Sequence, residues 1–178
     1  LGPRSLYRPH SLLITPAALE AVGGAVSRLP GSVPVYQADQ ALMNRIVGFD
    51  IHRGCLAAAH RPEARTPDAL LGAIDREASS VVVVLEGLNN HDNIGGILRN
   101  AAAFGADAVL LDPSSADPLY RKSIRVSMGG ALVVPHARFA DWPDDLGALE
   151  RAGYTLLALT PDPGTPEIGA VGDTLPIP

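Results

Sequence analysis

The sequence is poor in several residue types, and each shortage excludes a class of protein. Cys55 is the only cysteine among 178 residues, which excludes an intrachain disulfide and a cysteine-based metal cluster. Aromatic residues make up 4% of the chain, so aliphatic side chains must fill the core. No apolar run approaches the roughly 18 residues that a membrane span needs, and no secretory leader is recognisable. We therefore expect a soluble, cytoplasmic protein with no membrane segment.

Metal and hydrolase chemistry also lack their usual patterns. The five histidines show no HxxxH or HxH spacing. Glu86, His91 and Asp92 lie in a polar turn, where carboxylates are common, so we expect no metal site. There is no GxSxG elbow, and Ser127 has no obvious His/Asp relay, which disfavours a serine hydrolase.

Charge is distributed unevenly along the chain. The formal net charge is −5. Residues 1–65 carry seven arginines against four acids, whereas residues 66–178 carry seven basic residues against fifteen acids. A basic N-terminal part is suited to RNA phosphates, although an excess of this size over 65 residues is also ordinary scatter.

The first 62 residues predict a small α/β domain. Thr15 with Pro16, and later Asp39, are typical helix starts. The short apolar stretches that predict strands are residues 11–14, 33–36 and 55–59. Two prolines and alternating charges in residues 61–67 predict a domain boundary.

Residues 66–178 alternate predicted strands and helices, which indicates a parallel sheet with helices on both faces. The predicted strands are residues 81–85, 108–111, 131–134 and 155–159. The predicted helices are residues 67–77, capped by Thr66, and residues 94–104, 119–128 and 144–152.

The polar turn after the strand at 81–85 has two interpretations. It lacks both GxGxxG and GxxxxGK[ST], but the amides of a helix N-terminus can still bind an anion. Alternatively, Asp92 or Asn93 caps the helix, and Gly95 with Gly96 allows close packing.

Basic residues on the helices that follow are also ambiguous. Arg99 stands among packed apolar residues, where it either extends to solvent or is held for a phosphate or a developing oxyanion. Arg121, Lys122 and Arg125 form a small basic face, which serves RNA phosphates or is simply solvated.

Residues 93–101, Asn-Ile-Gly-Gly-Ile-Leu-Arg-Asn-Ala, resemble the first motif of the TrmH-like (SpoU) branch of the SPOUT superfamily, the RNA ribose 2′-O-methyltransferases. The match continues through Asp112-Pro113, residues 121–131 and Val134-Pro135, and residues 54–57 resemble the end of that family's small N-terminal domain. The resemblance implies a SPOUT-like methyltransferase domain over residues 66–178, preceded by a small α/β RNA-binding-like domain over 1–62. It also implies S-adenosylmethionine as cofactor, tRNA or rRNA as partner, and a homodimer.

The resemblance also assigns site residues. Asn93 matches the motif asparagine that shapes the active-site loop, and Arg99 matches the arginine that activates the ribose 2′-hydroxyl. Leu159 and Thr160 match one edge of the cofactor pocket. Arg121, Lys122 and Arg125 are the candidate RNA-binding residues.

Two further motifs of the branch have no counterpart in this chain. These are a Gly-Glu-Gly-like loop and a helix that starts Ser/Asn-Leu-Asn, which in the family supply most cofactor contacts, the trefoil knot and much of the dimer interface. We therefore expect a fragment without the knot. The alternative functions are a non-catalytic RNA-binding module and a nucleotide-binding α/β protein.

Overall fold

The computed structural model describes residues 7–75 and 79–172. Its contacts divide the chain into two compact units, Leu1–Glu63 and Ala64–Pro178. This division lies within the proline-containing segment at residues 61–67. Among the described helices, none has the length and apolar character to cross a lipid bilayer.

The first unit is a small α/β unit built on a mixed sheet. Thr15 and Asp39 cap the two described helices of this unit through side-chain oxygens, as predicted. Strand β1 lies in the centre of the sheet, parallel to β2 and antiparallel to β3. The described elements are β1 (Arg8–Ile14), α1 (Pro16–Val26), β2 (Val35–Gln37), α2 (Gln40–Val47) and β3 (Cys55–His60).

The second unit has a parallel sheet in the order β4-β5-β6. Its described strands are β4 (Val82–Leu85), β5 (Ala108–Leu111) and β6 (His136–Arg138). Its described α-helices are α3 (Pro67–Leu71), α4 (His91–Phe104), α5 (Arg121–Val126), α6 (Gly147–Arg151) and α7 (Ile168–Gly172).

Helices cover both faces of this sheet, which confirms the predicted architecture. Alternate residues of β5 point to opposite faces, because successive side chains of a strand do so. On one face Leu110 packs with Leu71 of α3 and Leu149 of α6. On the other face Leu111 packs with Leu98 of α4. Strand β5 is therefore buried on both sides, which explains its continuous apolar sequence.

The predicted strand at residues 131–134 is wrong. Its first two residues lie in a 3₁₀ turn, Gly130–Leu132, and Val133 and Val134 follow that turn. The sheet strand is β6, which begins at His136. The buried Ser127 hydroxyl accepts a hydrogen bond from the Ala131 N–H, and Ala131 packs in the same cluster as α4. Ala131 and Val134 are apolar because they are buried in the cluster between α4 and the sheet.

The predicted strand at residues 155–159 is also wrong. The segment has no regular secondary structure, and its leucines are exposed. Tyr154 immediately precedes this segment, and its hydroxyl accepts a 2.8 Å hydrogen bond from the hydroxyl of Ser80. Ser80 lies two residues before the start of β4. The segment pairs with none of the described strands. Its strong β propensity is therefore not enough to form a strand without a partner.

Helix boundaries also differ from the predictions. Helix α3 ends at Leu71, followed by Gly72 at the C-cap, and the last two residues of the predicted helix, 76 and 77, lie outside the described residues. Helix α5 is shorter than predicted at both ends. The helix predicted over residues 144–152 is a 3₁₀ turn, Asp144–Leu146, that continues into α6.

Candidate active site

Helix α4 begins in the polar turn that follows β4. The side chain of Asn90 caps the helix, accepting a 2.7 Å hydrogen bond from the Asp92 N–H. The cap is therefore neither Asp92 nor Asn93, and the helix starts three residues before the predicted Ile94. As a result Asn93 lies in the first turn of the helix, with its side chain exposed.

Two glycines allow other segments to approach the α4 backbone closely. A β-carbon on Gly95 would lie 2.7 Å from the Ser123 carbonyl oxygen of α5. A β-carbon on Gly130 would lie 2.7 Å from the Leu98 carbonyl oxygen. Helix α5 and the turn at Gly130 therefore pack directly on the α4 backbone, which fixes the part of α4 that carries Arg99.

The Arg99 side chain is exposed on α4, and it makes no hydrogen bond or ion pair with any described residue. Its guanidinium is therefore open to a ligand or solvent. Asn93 precedes it by six residues, which places the two about 9 Å apart along the helix axis and about 120° apart around it. Both predicted residues are exposed to solvent, but they point in different directions from α4.

Helix α5 is attached to the start of α4 by two side-chain contacts. The Lys122 Nζ lies 2.6 Å from the Asp92 Oδ2, with both side chains 47% exposed. The rings of His91 and Tyr120 have centroids 4.2 Å apart and a tilt of 45°. Lys122 is thus an ion-paired residue, whereas Arg125 is exposed and pairs with no described residue.

Asp112, at the carboxyl end of β5, is a buried carboxylate that organises the adjacent loop. It accepts hydrogen bonds from the hydroxyls and backbone N–H groups of Ser114 and Ser115. Burial alone would raise the pKa of Asp112, but these hydrogen bonds, with one from the Gly87 N–H, outweigh it and lower the pKa to about 2. Asp112 therefore stays ionised at neutral pH.

Arg138, at the end of β6, holds the same loop from the other side. Its guanidinium donates to the carbonyl oxygens of Asp112 at 2.5 Å and Ala116 at 3.3 Å. The Ala116 N–H in turn donates to the Leu88 carbonyl oxygen at 2.8 Å. The loops after β4 and β5 are therefore tied together beneath the start of α4, at the sheet edge where open α/β folds bind ligands.

Leu159 and Thr160, the predicted cofactor-binding residues, lie in an irregular and exposed segment. Leu159 is 81% exposed. The Thr160 hydroxyl accepts a hydrogen bond from the nearby Asp162 N–H at 3.2 Å. Among the described residues, no hydrogen bond or buried cluster joins this segment to α4.

Sequence reasoning gave no role to Asp112, Arg138 or Tyr120. The Asp-Pro-Ser-Ser sequence after β5 is a signal for the Asp112 loop, because aspartate and serine side chains bond to nearby backbone in such turns. Arg138 and Tyr120 carry no comparable local signal, because their contacts are with residues distant in sequence.

Several known proteins resemble this chain in sequence or in fold. A Mycobacterium bovis protein named as an uncharacterized tRNA/rRNA methyltransferase is 50% identical over 129 residues, covering 72% of this chain and 43% of the relative. The chain thus spans less than half the length of that relative. The SpoU methyltransferase AviRb from Streptomyces viridochromogenes, solved with AdoMet, matches with a TM-score of 0.67 at 20% identity, covering 85% of this chain and 55% of the other. An RNA 2′-O ribose methyltransferase matches with a TM-score of 0.66 at 23% identity, covering 88% and 57%.

At these identities the structural matches show a common fold. The family model of the SpoU rRNA Methylase family matches residues 80–171, slightly more than half of the chain. That range runs from the residues just before β4, through α4 and α5, into α7. The chain belongs to the SpoU rRNA methylase family.

Proposed function

We propose that the protein transfers a methyl group from S-adenosylmethionine to a ribose 2′-hydroxyl of tRNA or rRNA. The observation that carries this proposal is Arg99: an unpaired, exposed guanidinium on a helix whose backbone is fixed by close packing at Gly95 and Gly130. Family membership supports the methyl-transfer chemistry. The ribose specificity rests on the motif resemblance at residues 93–101.

Arg99 has one chemical role that its protonation state supports. A guanidinium stays protonated in proteins, so it is a poor base but a good donor of charge-assisted hydrogen bonds. It would stabilise the negative charge that develops on the 2′-oxygen as the hydroxyl loses its proton. Asn93, at the first turn of α4, would shape the loop that positions the ribose.

S-adenosylmethionine, when bound, supplies an electrophilic methyl group. An adenosine site is normally a concave, mostly apolar cleft. Leu159 and Thr160 are exposed and do not form such a cleft by themselves. We propose these two residues only as one rim of its site.

The RNA is assigned to two surfaces. Residues 1–62 form the substrate-binding domain in this proposal, and α5 supplies contacts to phosphates. Because Lys122 is paired with Asp92 at 2.6 Å, we assign the principal phosphate contact on α5 to Arg125, with Arg121 beside it. The resemblance also leads us to propose a homodimer.

The test uses the full-length protein encoded by the reading frame that contains this chain. Binding of S-adenosylmethionine is measured by calorimetry, and transfer of labelled methyl is measured on separate tRNA and rRNA pools. Labelled RNA is then treated with alkali, which cannot cleave the backbone after a 2′-O-methylated ribose. Label in alkali-resistant dinucleotides is expected, whereas label only in mononucleotides would show base methylation and contradict the ribose assignment.

Replacing Arg99 tests the arginine itself. Arg99→Gln removes the charge and is expected to lower kcat by about 10²- to 10³-fold, with little change in cofactor binding, because the charge acts on the developing oxyanion. Arg151→Gln is the matched control, since Arg151 lies on α6, which packs on the opposite face of the sheet from α4. Equal activity of the two variants would contradict the role of Arg99.

A protein that binds RNA in a salt-dependent manner but transfers no methyl group would support the alternative of a non-catalytic RNA-binding module. Binding of free nucleotide without affinity for RNA would support the nucleotide-binding alternative.

A further inference from the structure

Tyr120 stands at the N-cap of α5 without capping the helix. The N-cap position favours Ser, Thr, Asp and Asn, whose side chains satisfy the free N–H groups of the first turn. Tyr120 makes no such hydrogen bond. Its side chain is 52% exposed, so it also contributes little to the core. Neither helix capping nor burial in a core cluster explains a large aromatic residue at this position.

His91 supports the ring of Tyr120 from α4. The two ring centroids lie 4.2 Å apart, which is close enough for direct contact. The Lys122–Asp92 ion pair and the close approach at Gly95 fix α5 against α4 next to this contact. The tyrosine ring is therefore held in place while half of its surface remains open.

The residues around the two rings are suited to binding an RNA base. Arg121 and Arg125 follow Tyr120 on α5, and both are exposed. Proteins recognise unpaired RNA bases by stacking them on aromatic side chains, with basic groups near the backbone. His91 precedes Arg99 by eight residues, about 12 Å along α4, a distance that a short stretch of RNA spans.

We propose that Tyr120, supported by His91, is a stacking platform for one unpaired base of the RNA substrate, close in sequence to the ribose presented to Arg99. This inference rests on the proposed function and adds a substrate-positioning residue to it. The occupant is a nucleobase rather than an apolar protein segment, because Tyr120 is followed on α5 by three exposed cationic residues, Arg121, Lys122 and Arg125.

The test compares variants of the full-length protein on whichever RNA pool, tRNA or rRNA, the wild type methylates. Tyr120→Ala is expected to raise KM for RNA roughly 5- to 150-fold, the range for loss of one stacked base. It should leave kcat at saturating RNA and the Kd for S-adenosylmethionine within about threefold. Tyr120→Phe retains the ring and should stay within about twofold of wild type throughout.

Phe104→Ala is the matched control. Phe104 is 89% exposed at the other end of α4, so its removal deletes an exposed aromatic ring without touching the platform. If Tyr120→Ala and Phe104→Ala gave the same KM, or if Tyr120→Phe were as defective as Tyr120→Ala, the stacking proposal would fail while the proposed function stood.

Ultraviolet crosslinking of the wild-type protein gives a second readout that does not depend on a folded variant. Irradiation of the RNA complex, followed by digestion and mass spectrometry, should place a nucleotide on a peptide that contains Tyr120 or His91. Crosslinks found only on other peptides would overturn the platform. If the wild type neither bound nor methylated any RNA, the proposed function would fall, and the platform with it.

Discussion

Asp112 is the residue whose environment is most clearly defined. It is buried, yet hydrogen bonds from Ser114 and Ser115 keep it ionised. Arg138 binds the backbone of the same loop rather than the carboxylate. The negative charge of Asp112 is thus stabilised by hydroxyl and amide dipoles, without an ion pair to a described residue, and its effect on stability must depend on pH.

The pKa of Asp112, lowered to about 2, predicts a specific loss of stability in acid. An unfolded aspartate titrates near pH ~4, so the stabilisation is complete above that pH and is lost as the pH falls from about 4 to about 2. In urea unfolding, Asp112→Asn should be less stable than wild type at pH 7. The difference should narrow by about 2 kcal/mol on going to pH 2.

Asp144→Asn, which changes an exposed aspartate, controls for the loss of a surface charge. A gap between wild type and Asp112→Asn that stayed constant from pH 7 to pH 2 would contradict the role given to the Asp112 carboxylate.

At the scale of elements, adjacent glycines on α4 offer a matched comparison. A β-carbon on Gly95 would meet the Ser123 carbonyl oxygen at 2.7 Å and the Val126 β-carbon at 2.8 Å, whereas one on Gly96 would meet nothing within 4 Å. Both positions are helical, so alanine brings the same gain in helix propensity to each. Only the packing against α5 differs.

Gly95→Ala should therefore destabilise the fold by about 1–3 kcal/mol, the usual cost of overpacking. Gly96→Ala should stabilise it by about 0.5–1 kcal/mol. Urea unfolding at pH 7 measures both changes. Equal effects of the two substitutions would show that α5 does not pack on α4 as described.

The sequence predicts elements well where local pattern and tertiary position agree. Strand β5 has the predicted limits, because it is apolar and buried on both faces. Residues 131–134 look like a strand but pack on α4, and the real strand, β6, begins with a polar histidine. An apolar run reports burial, and the partner that buries it depends on residues far away in the chain.

Some residues of the candidate site are predictable from the sequence, and others are not. Arg99 and Asn93 are predicted from the resemblance of one contiguous motif, and both are exposed on α4. Tyr120 with His91, and Arg138 with Asp112, depend on contacts between separate elements. No local pattern encodes those distances, so only the structure reveals these pairs.

At the scale of the whole molecule, the segment between the two units is where we expect a protease to reach the backbone first. Residues 61–66 are exposed and have no regular secondary structure. Limited trypsin digestion of the 178-residue chain should therefore cut first after Arg65, because the bond after Arg61 precedes a proline and resists trypsin. The expected products, identified by intact mass, are one fragment from each unit, both of which persist during further digestion.

A first cut inside β1–β3 or α4 would contradict this division into two units. Cleavage of urea-unfolded chain, where every arginine is accessible, provides the reference pattern.

Strand β4 and the leucines at residues 156, 157 and 159 have a practical consequence for handling this chain. Strand β4 pairs only with β5 among the described strands, and the adjacent Val81 is 61% exposed. The open edge of β4 and the exposed leucine segment at residues 156–159 can each pair with a strand of another molecule. At neutral pH the negative net charge makes the molecules repel each other, which opposes this pairing. The repulsion vanishes near the isoelectric point of about 5.4. Concentrated samples should consequently precipitate most readily in mildly acidic buffer, well above the pH at which Asp112 takes up its proton.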